Sequence, residues 1–146
     1  MHREVRIVPW PAPLMYRVVS DVEHYPEFLP WVAGLRIKAR KENELLAEML
    51  VAYKGFRERY TSRVTLDPDD LRVDVVQTEG PFRKLENHWR FVPLDDGCEV
   101  HFAIDFEFKS RILGAVAGAA FEKALLKMTQ AFEARAQELH GRGEMA

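Results

Sequence analysis

The chain has 146 residues, 47% of them hydrophobic and 30% charged, with a net charge of −2 and a single cysteine. That length suits one domain, and a domain of this size hides roughly 70% of its unfolded surface, so the core needs no metal or disulfide. The lone Cys98 excludes an internal disulfide framework and suits a reducing compartment. The near-neutral balance argues against a general nucleic-acid binder, and no DNA partner is expected.

The N-terminal MHREVRIVPW lacks the long apolar run of a signal peptide. Nothing approaches the ~20 apolar residues of a spanning helix. The nearest stretch, Ile112 to Phe121, is short and flanked by charge. A cytoplasmic location is expected, with a peripheral place at the inner face of a bacterial inner membrane left open. Residues 1–140 read as a single domain and 141–146, GRGEMA, as a flexible tail.

Alternation predicts a first strand over 3–9, ended by Pro11 and Pro13. Residues 12–21 predict a helix with Leu14, Met15, Val18 and Val19 on one face. It stops before Pro26, because a proline ring clashes with a preceding helical residue. Pro26 then fits the first turn of a second short helix, which Pro30 limits. Tyr25, Phe28, Leu29, Trp31 and Val32 make it an apolar knob. Such a knob either plugs one end of something hollow or packs as a helix–helix corner on the core.

After Gly34 the pattern predicts strands over 35–40, 43–53, 56–66, 71–79, 83–92 and 98–108, joined by KEN, KG, DPDD, GPF and DDG turns. Along 98–108 one side carries Val100, Phe102, Ile104, Phe106 and Phe108, and the other Glu99, His101, Ala103, Asp105 and Glu107. That is a sheet with one dry and one wet face. Residues 110–140 predict a helix of about 45 Å, capped by Ser110. Its apolar stripe reads Leu113, Val116, Ala120, Phe121, Ala124, Leu125, Met128 and Phe132. The order describes an antiparallel sheet curled around a C-terminal helix.

The alternation also ranks inward groups. Phe56, Glu58, Tyr60, Ser62, Val64 and Leu66 share one side, and Arg57, Arg59, Thr61, Arg63 and Thr65 point to water. Leu71, Val73, Val75 and Gln77 point inward on the next strand, as do Leu85, Asn87, Trp89 and Phe91 on the one after. Tight turns place Met49, Tyr60, Gln77, Asn87 and Ile104 level across the sheet. An unpaired buried polar group costs about 1–3 kcal/mol. These groups therefore bond each other, water or a ligand, unless they sit near the sheet ends and reach solvent. Gly114 and Gly118, among alanines, give the last helix either close packing or empty volume beside the sheet.

Catalytic motifs are missing: no G-x-S-x-G, C-x-x-C, P-loop or dinucleotide glycine pattern occurs. The five histidines have no metal-ligand spacing, and no metal site is expected. His88 and His101 fall on the wet face. Cys98 reads as a small strand-edge residue. Wet-face carboxylates (Glu44, Glu48, Asp74, Glu86, Asp105, Glu107) interleave with Arg57, Arg59, Arg63, Arg72, Lys84 and Arg90, which predicts cross-strand ion pairs. Glu58 is the one inward acid, so no catalytic residue is assigned.

The segment VSDVEHYPEFLPWV, with YKGFRERYTSRV and EGPFRKLENHWRF, resembles the coenzyme Q-binding START-like family of the polyketide cyclase/dehydrase group. The resemblance covers nearly the whole chain. It implies an α+β helix-grip fold: a curved seven-stranded antiparallel sheet, two short helices after the first strand, and a hydrophobic tunnel under a long C-terminal helix. It also implies a choice of function. One branch binds ubiquinone and supports respiratory electron transfer as a lipid chaperone. A bacterial branch is a ribosome-association toxin that binds the large ribosomal subunit and blocks subunit joining. YPEFLPW does not separate them.

The leading expectation is a non-catalytic binder of ubiquinone or a similar isoprenoid lipid, with no other cofactor. Phe28, Trp31, Tyr53, Phe56, Tyr60, Trp89, Phe91, Phe102, Phe106 and Phe121 would line the tunnel. Tyr60, Gln77 or Asn87 would donate hydrogen bonds to quinone oxygens. YPEFLPW would form part of the mouth, with transient membrane contact during delivery left open. The alternative is ribosome binding through Lys54, Arg57, Arg59, Arg63 and Arg90. A cyclase-type enzyme, resting on Glu58, is the third.

Overall fold

The structure, a computed structural model, describes residues 2–53 and 56–141, excluding the side chains of Tyr53, Phe56, Ala117, Ala120, Leu125 and Leu126. The chain runs β1 (His2–Val8), α1 (Ala12–Ser20), a 3-10 helix (Val22–Glu27), β2 (Val32–Lys41), β3 (Glu44–Tyr53), β4 (Phe56–Asp67), β5 (Arg72–Glu79), β6 (Phe82–Leu94), β7 (Gly97–Phe108) and α2 (Arg111–Gly141). The strands form one seven-stranded sheet in the order β1-β7-β6-β5-β4-β3-β2. Every pairing is antiparallel. β2 to β7 form a meander, because each connection is a tight turn. β1 joins its far side along β7. The helix-grip fold implied by the sequence is the fold observed.

α1 starts at Pro11, whose carbonyl accepts from Leu14 N and Met15 N at 3.1 and 3.2 Å. It buries Ala12, Leu14, Met15, Val18 and Val19. The following segment differs from expectation in type. It is a 3-10 helix, with Pro26 inside it rather than in a first α-turn. The tighter i→i+3 pattern suits a short proline-bearing run. The Tyr25 hydroxyl donates to the Val19 carbonyl and ties this segment back to α1.

The concave face is dry. Leu85, Trp89, Phe91, Val100, Phe102 and Ile104 are all buried on β6 and β7. Cys98 also lies there, at 0% exposure. It pairs with Val8 and Pro93 inside the sheet, which corrects its reading as a strand-edge residue. β1 flanks β7 and makes it an inner strand. Burial pushes the Cys98 thiol up to about 11, so it stays protonated. The adjoining turn needs Gly97. At its φ of 151° a Cβ would stand 2.0 Å from the Val8 carbonyl oxygen.

The convex face carries the expected ion pairs, among them Lys84–Asp105 at 2.8 Å, Arg83–Glu107 at 3.0 Å and Arg63–Glu44 at 3.2 Å. Such exposed pairs are worth at most about 1 kcal/mol each. Thr61 departs from expectation: it is 5% exposed rather than turned to water. It sits at an irregularity between β4 and β5, where Thr61 pairs with Glu79 but Ser62 with Gln77. β1 closes on α2 through polar groups: Thr129 Oγ1 donates to Glu4 Oε1 at 3.0 Å, and Arg6 meets Glu133 at 2.6 Å. Burial raises the Glu4 carboxyl, but bonds from His2 and Thr129 and the Arg6 charge outweigh it and hold the acid below its usual range.

α2 places Val116 outward at 77% exposure, against its assignment to the inward stripe. At about 100° per residue it points well away from Phe121 and Met128. Ala120 and Leu125 of that stripe lie outside the described side chains.

Candidate functional site

Between α2 and the concave face lies a cavity of ≈ 100 Å³. Val22, Tyr25 and Leu29 close one side, with Trp31 and Val32 beside them. Ala47, Met49 and Val51 of β3, Tyr60, Ser62 and Val64 of β4, and Val75 of β5 form the floor. Leu85, Asn87 and Trp89 of β6 and Ile104 of β7 continue it, and Phe121, Ala124, Met128 and Phe132 of α2 form the roof. The apolar knob of the 3-10 segment and its flank is thus a plug: Tyr25, Leu29 and Trp31 all reach the cavity.

The space exists because side chains on facing elements are short. Ala47 and Ala124 oppose each other's layers from sheet and helix. A Cβ on Gly118 would meet nothing within 4 Å, whereas one on Gly114 would touch Phe108 at 3.7 Å. Gly114 therefore packs against the sheet, while Gly118 stands clear of neighbours and outside the cavity lining. An apolar cavity of roughly 150 Å³ admits a benzene ring. At ≈ 100 Å³ the space here is smaller than that, so a substituted ring enters only with an outward shift of the surrounding side chains.

Three polar groups face this space. Tyr60 donates only to the Met49 thioether, at 3.3 Å, and sulfur is a weak acceptor. Burial pushes its phenol up to about 12, so it remains a neutral donor. Ser62 is 4% exposed, and its Oγ has no hydrogen-bond partner. The Asn87 amide makes no side-chain hydrogen bond with any described residue. The Tyr25 hydroxyl is already committed to Val19. Among the described residues no carboxylate, imidazole or thiol lines the cavity. Glu58 pairs with Val51 and so points to the same face, but it is not part of the lining.

Of the residues singled out in the sequence, Trp31, Tyr60, Asn87, Trp89 and Phe121 line the cavity. The side chains of Tyr53 and Phe56 lie outside the described ones. The other five do not line it. Phe102 stands behind Trp89 at 4.3 Å between centroids, and Phe91 stacks on the same indole at 6.2 Å. Phe106 backs Phe121 at 4.6 Å, and Phe28 backs Phe132 at 5.5 Å under the Arg135 guanidinium. These rings face inward as expected but are covered by the lining rings.

Gln77 fails for a different reason. Its Nε2 donates to the Phe82 carbonyl at 2.7 Å, and its Oε1 accepts from Phe82 N at 3.1 Å. It braces the β5–β6 turn. The four-residue turn between Asp67 and Arg72 sets Gln77 opposite Ser62 rather than Tyr60, so Met49 and Tyr60 are opposite each other but Asn87 lies level with Val75 and Ile104. The predicted five-residue row is therefore staggered. The lack of a hydrogen-bond partner at Ser62 is what the sequence alone could not show.

The family described as polyketide cyclase / dehydrase and lipid transport matches residues 8–133. A ribosome association toxin of Rickettsia prowazekii is 36% identical over 94% of this chain and 96% of its own. A mitochondrial coenzyme Q-binding protein of Xenopus laevis is 32% identical over 99% of this chain, which spans 61% of that protein. Among solved structures, an 18 kDa protein of Caulobacter crescentus is 39% identical, with 97% and 99% of the chains covered and a TM-score of 0.76. An aromatase/cyclase from Streptomyces shares the fold at a TM-score of 0.84 and 21% identity, over 94% and 93% of the chains.

Proposed function

Given that the chain belongs to the polyketide cyclase / dehydrase and lipid transport family, we propose that it binds ubiquinone or a similar isoprenoid lipid without transforming it. The ring enters the cavity, the tail leaves past α2, and the protein supports respiratory electron transfer as a lipid chaperone in the cytoplasm. One observation carries this reading: a mostly apolar cavity under α2 presents Tyr60, Ser62 and Asn87, whose hydrogen-bonding capacity the protein does not use well. A ring bearing carbonyl oxygens accepts from all three. Mostly apolar walls with a few placed polar groups are the usual build of a small-molecule site. The coenzyme Q-binding relative agrees with it. The lining offers no acid–base pair for cyclase chemistry.

Extraction of the purified protein with organic solvent, followed by mass spectrometry, tests the proposal. A quinone or prenyl lipid in stoichiometric amount is the expected result. Protein that stays folded and neither carries nor takes up any quinone would reject it.

A second reading, a ribosome-association toxin acting on the large subunit, is favoured by the similarity to the Rickettsia toxin along nearly its full length. Arg57 and Arg59 are exposed on β4 and make no ion pair among the described residues. The wider basic cluster expected from the sequence is not one surface. Arg63 is held by Glu44, Arg90 lies 3.8 Å from Asp70 and two strands away from β4, and Lys54 lies outside the described residues. Added protein that leaves subunit joining unchanged in a sucrose gradient rejects this role.

A further inference from the structure

α2 is two-faced in an unusual place. Ile112 and Val116 are 79% and 77% exposed, more than any other large hydrophobic side chain among the described residues. They lie one turn apart on the same side of the helix. Ala115 and Ala119 are exposed beside them. At about 100° per residue, positions 111, 112, 115, 116 and 119 fall in one arc, opposite Leu113, Phe121 and Ala124. The face that looks away from the cavity is therefore apolar, at the end of the helix where the roof begins.

The charge at the N-terminal end of this patch is positive. Residues 109–121 contain Lys109 and Arg111 and no acid. The neighbouring Glu107 is held by Arg83 at 3.0 Å, and Glu122 is followed at once by Lys123. No helix is long and apolar enough to cross a membrane among the described residues, so this patch can lie on a bilayer but not through it. An apolar helical face flanked by cations fits the interface of an anionic leaflet, where the side chains enter the acyl boundary and the cations meet phosphates.

We infer that the first turns of α2 dock on an anionic bilayer surface, with Ile112 and Val116 inserted and Lys109 and Arg111 against the headgroups. The inference rests on the lipid-binding reading for its purpose: docking would set the end of α2 where the cavity's roof begins against the membrane, shortening the path of a tail between cavity and acyl chains.

The test is flotation of the full chain with vesicles of phosphatidylcholine alone or with phosphatidylglycerol added. The wild type is expected to float with the anionic vesicles and at least about tenfold less with the neutral ones, two cations each counting roughly fivefold. High salt should release it. Ile112→Glu/Val116→Glu should not float, and Lys109→Glu/Arg111→Glu should lose the preference for anionic lipid. Binding of a short-tailed quinone in solution, measured alongside, should be the same in all three, since none of these residues lines the cavity. Wild type that binds quinone in solution but ignores anionic vesicles overturns the inference and leaves the function standing. So does a double glutamate variant that floats normally. A concentration-dependent dimer abolished by Ile112→Glu/Val116→Glu would assign the patch to a second copy instead. Flotation without any quinone binding would uphold docking while rejecting the lipid reading.

Discussion

Ser62→Ala should stabilise the lipid-free protein, the reverse of the usual effect of a buried truncation. Ser62 is 4% exposed and its Oγ bonds nothing in the protein. Leaving such a hydroxyl unpaired costs about 1–3 kcal/mol. Removing it gives that back, less a few tenths for the weaker strand preference of alanine. Ala47, directly across from it on β3, already shows that the site tolerates a methyl. The net expectation is a gain of about 1 kcal/mol, or roughly 2–4 °C in Tm at this size. With quinone bound the sign reverses. One hydrogen bond worth about 0.5–1.5 kcal/mol is lost, so affinity falls roughly two- to tenfold. Thermal melts of delipidated wild type and variant, with and without a short-tailed quinone, read both quantities. A variant that melts lower than wild type when delipidated would show that the hydroxyl is satisfied within the protein, and the polar half of the site would have to be redrawn.

Further expectations concern the frame around the cavity. Trp89→Ala removes a side chain packed on Phe102 and Phe132, 4.3 and 5.2 Å away between ring centroids, and should cost about 3–5 kcal/mol in denaturant unfolding. Gly97→Ala drives a Cβ into the Val8 carbonyl and should destabilise by at least about 2 kcal/mol; an unchanged melting temperature would show that β1 is free to shift. The Glu4 carboxyl is held below the usual carboxylate range. Its contribution is therefore complete above the ordinary carboxylate value and is lost as pH falls through the lower folded one. Thr129→Val, which removes one of the bonds responsible, should show a shallower loss of stability on acidification.

The alternation in β4, β6 and β7 made the dry face readable, because a period of two has only one way to bury Val100, Phe102 and Ile104 together. The same logic could not tell which inward ring is topmost. Trp89 and Phe121 line the cavity while Phe102 and Phe106 stand behind them, and that order depends on where α2 lies. The displacement of Gln77 came from the length of the turn between Asp67 and Arg72, whose closing pair an apolar–polar pattern does not fix. Val116 was read inward because apolar residues run almost all round the first turns of α2, so the helix gave no contrast from which to choose a face.

The central claim is a vacancy between α2 and the sheet that takes a quinone ring. Trp31 and Trp89 line it, and a quinone against an indole quenches its fluorescence. Titrating a short-tailed ubiquinone into delipidated protein should give saturable quenching at one equivalent. Ala124→Phe, which fills the space from the roof, should keep the fold and lose that quenching. Quenching that never saturates, or that survives Ala124→Phe unchanged in a folded protein, would contradict the account.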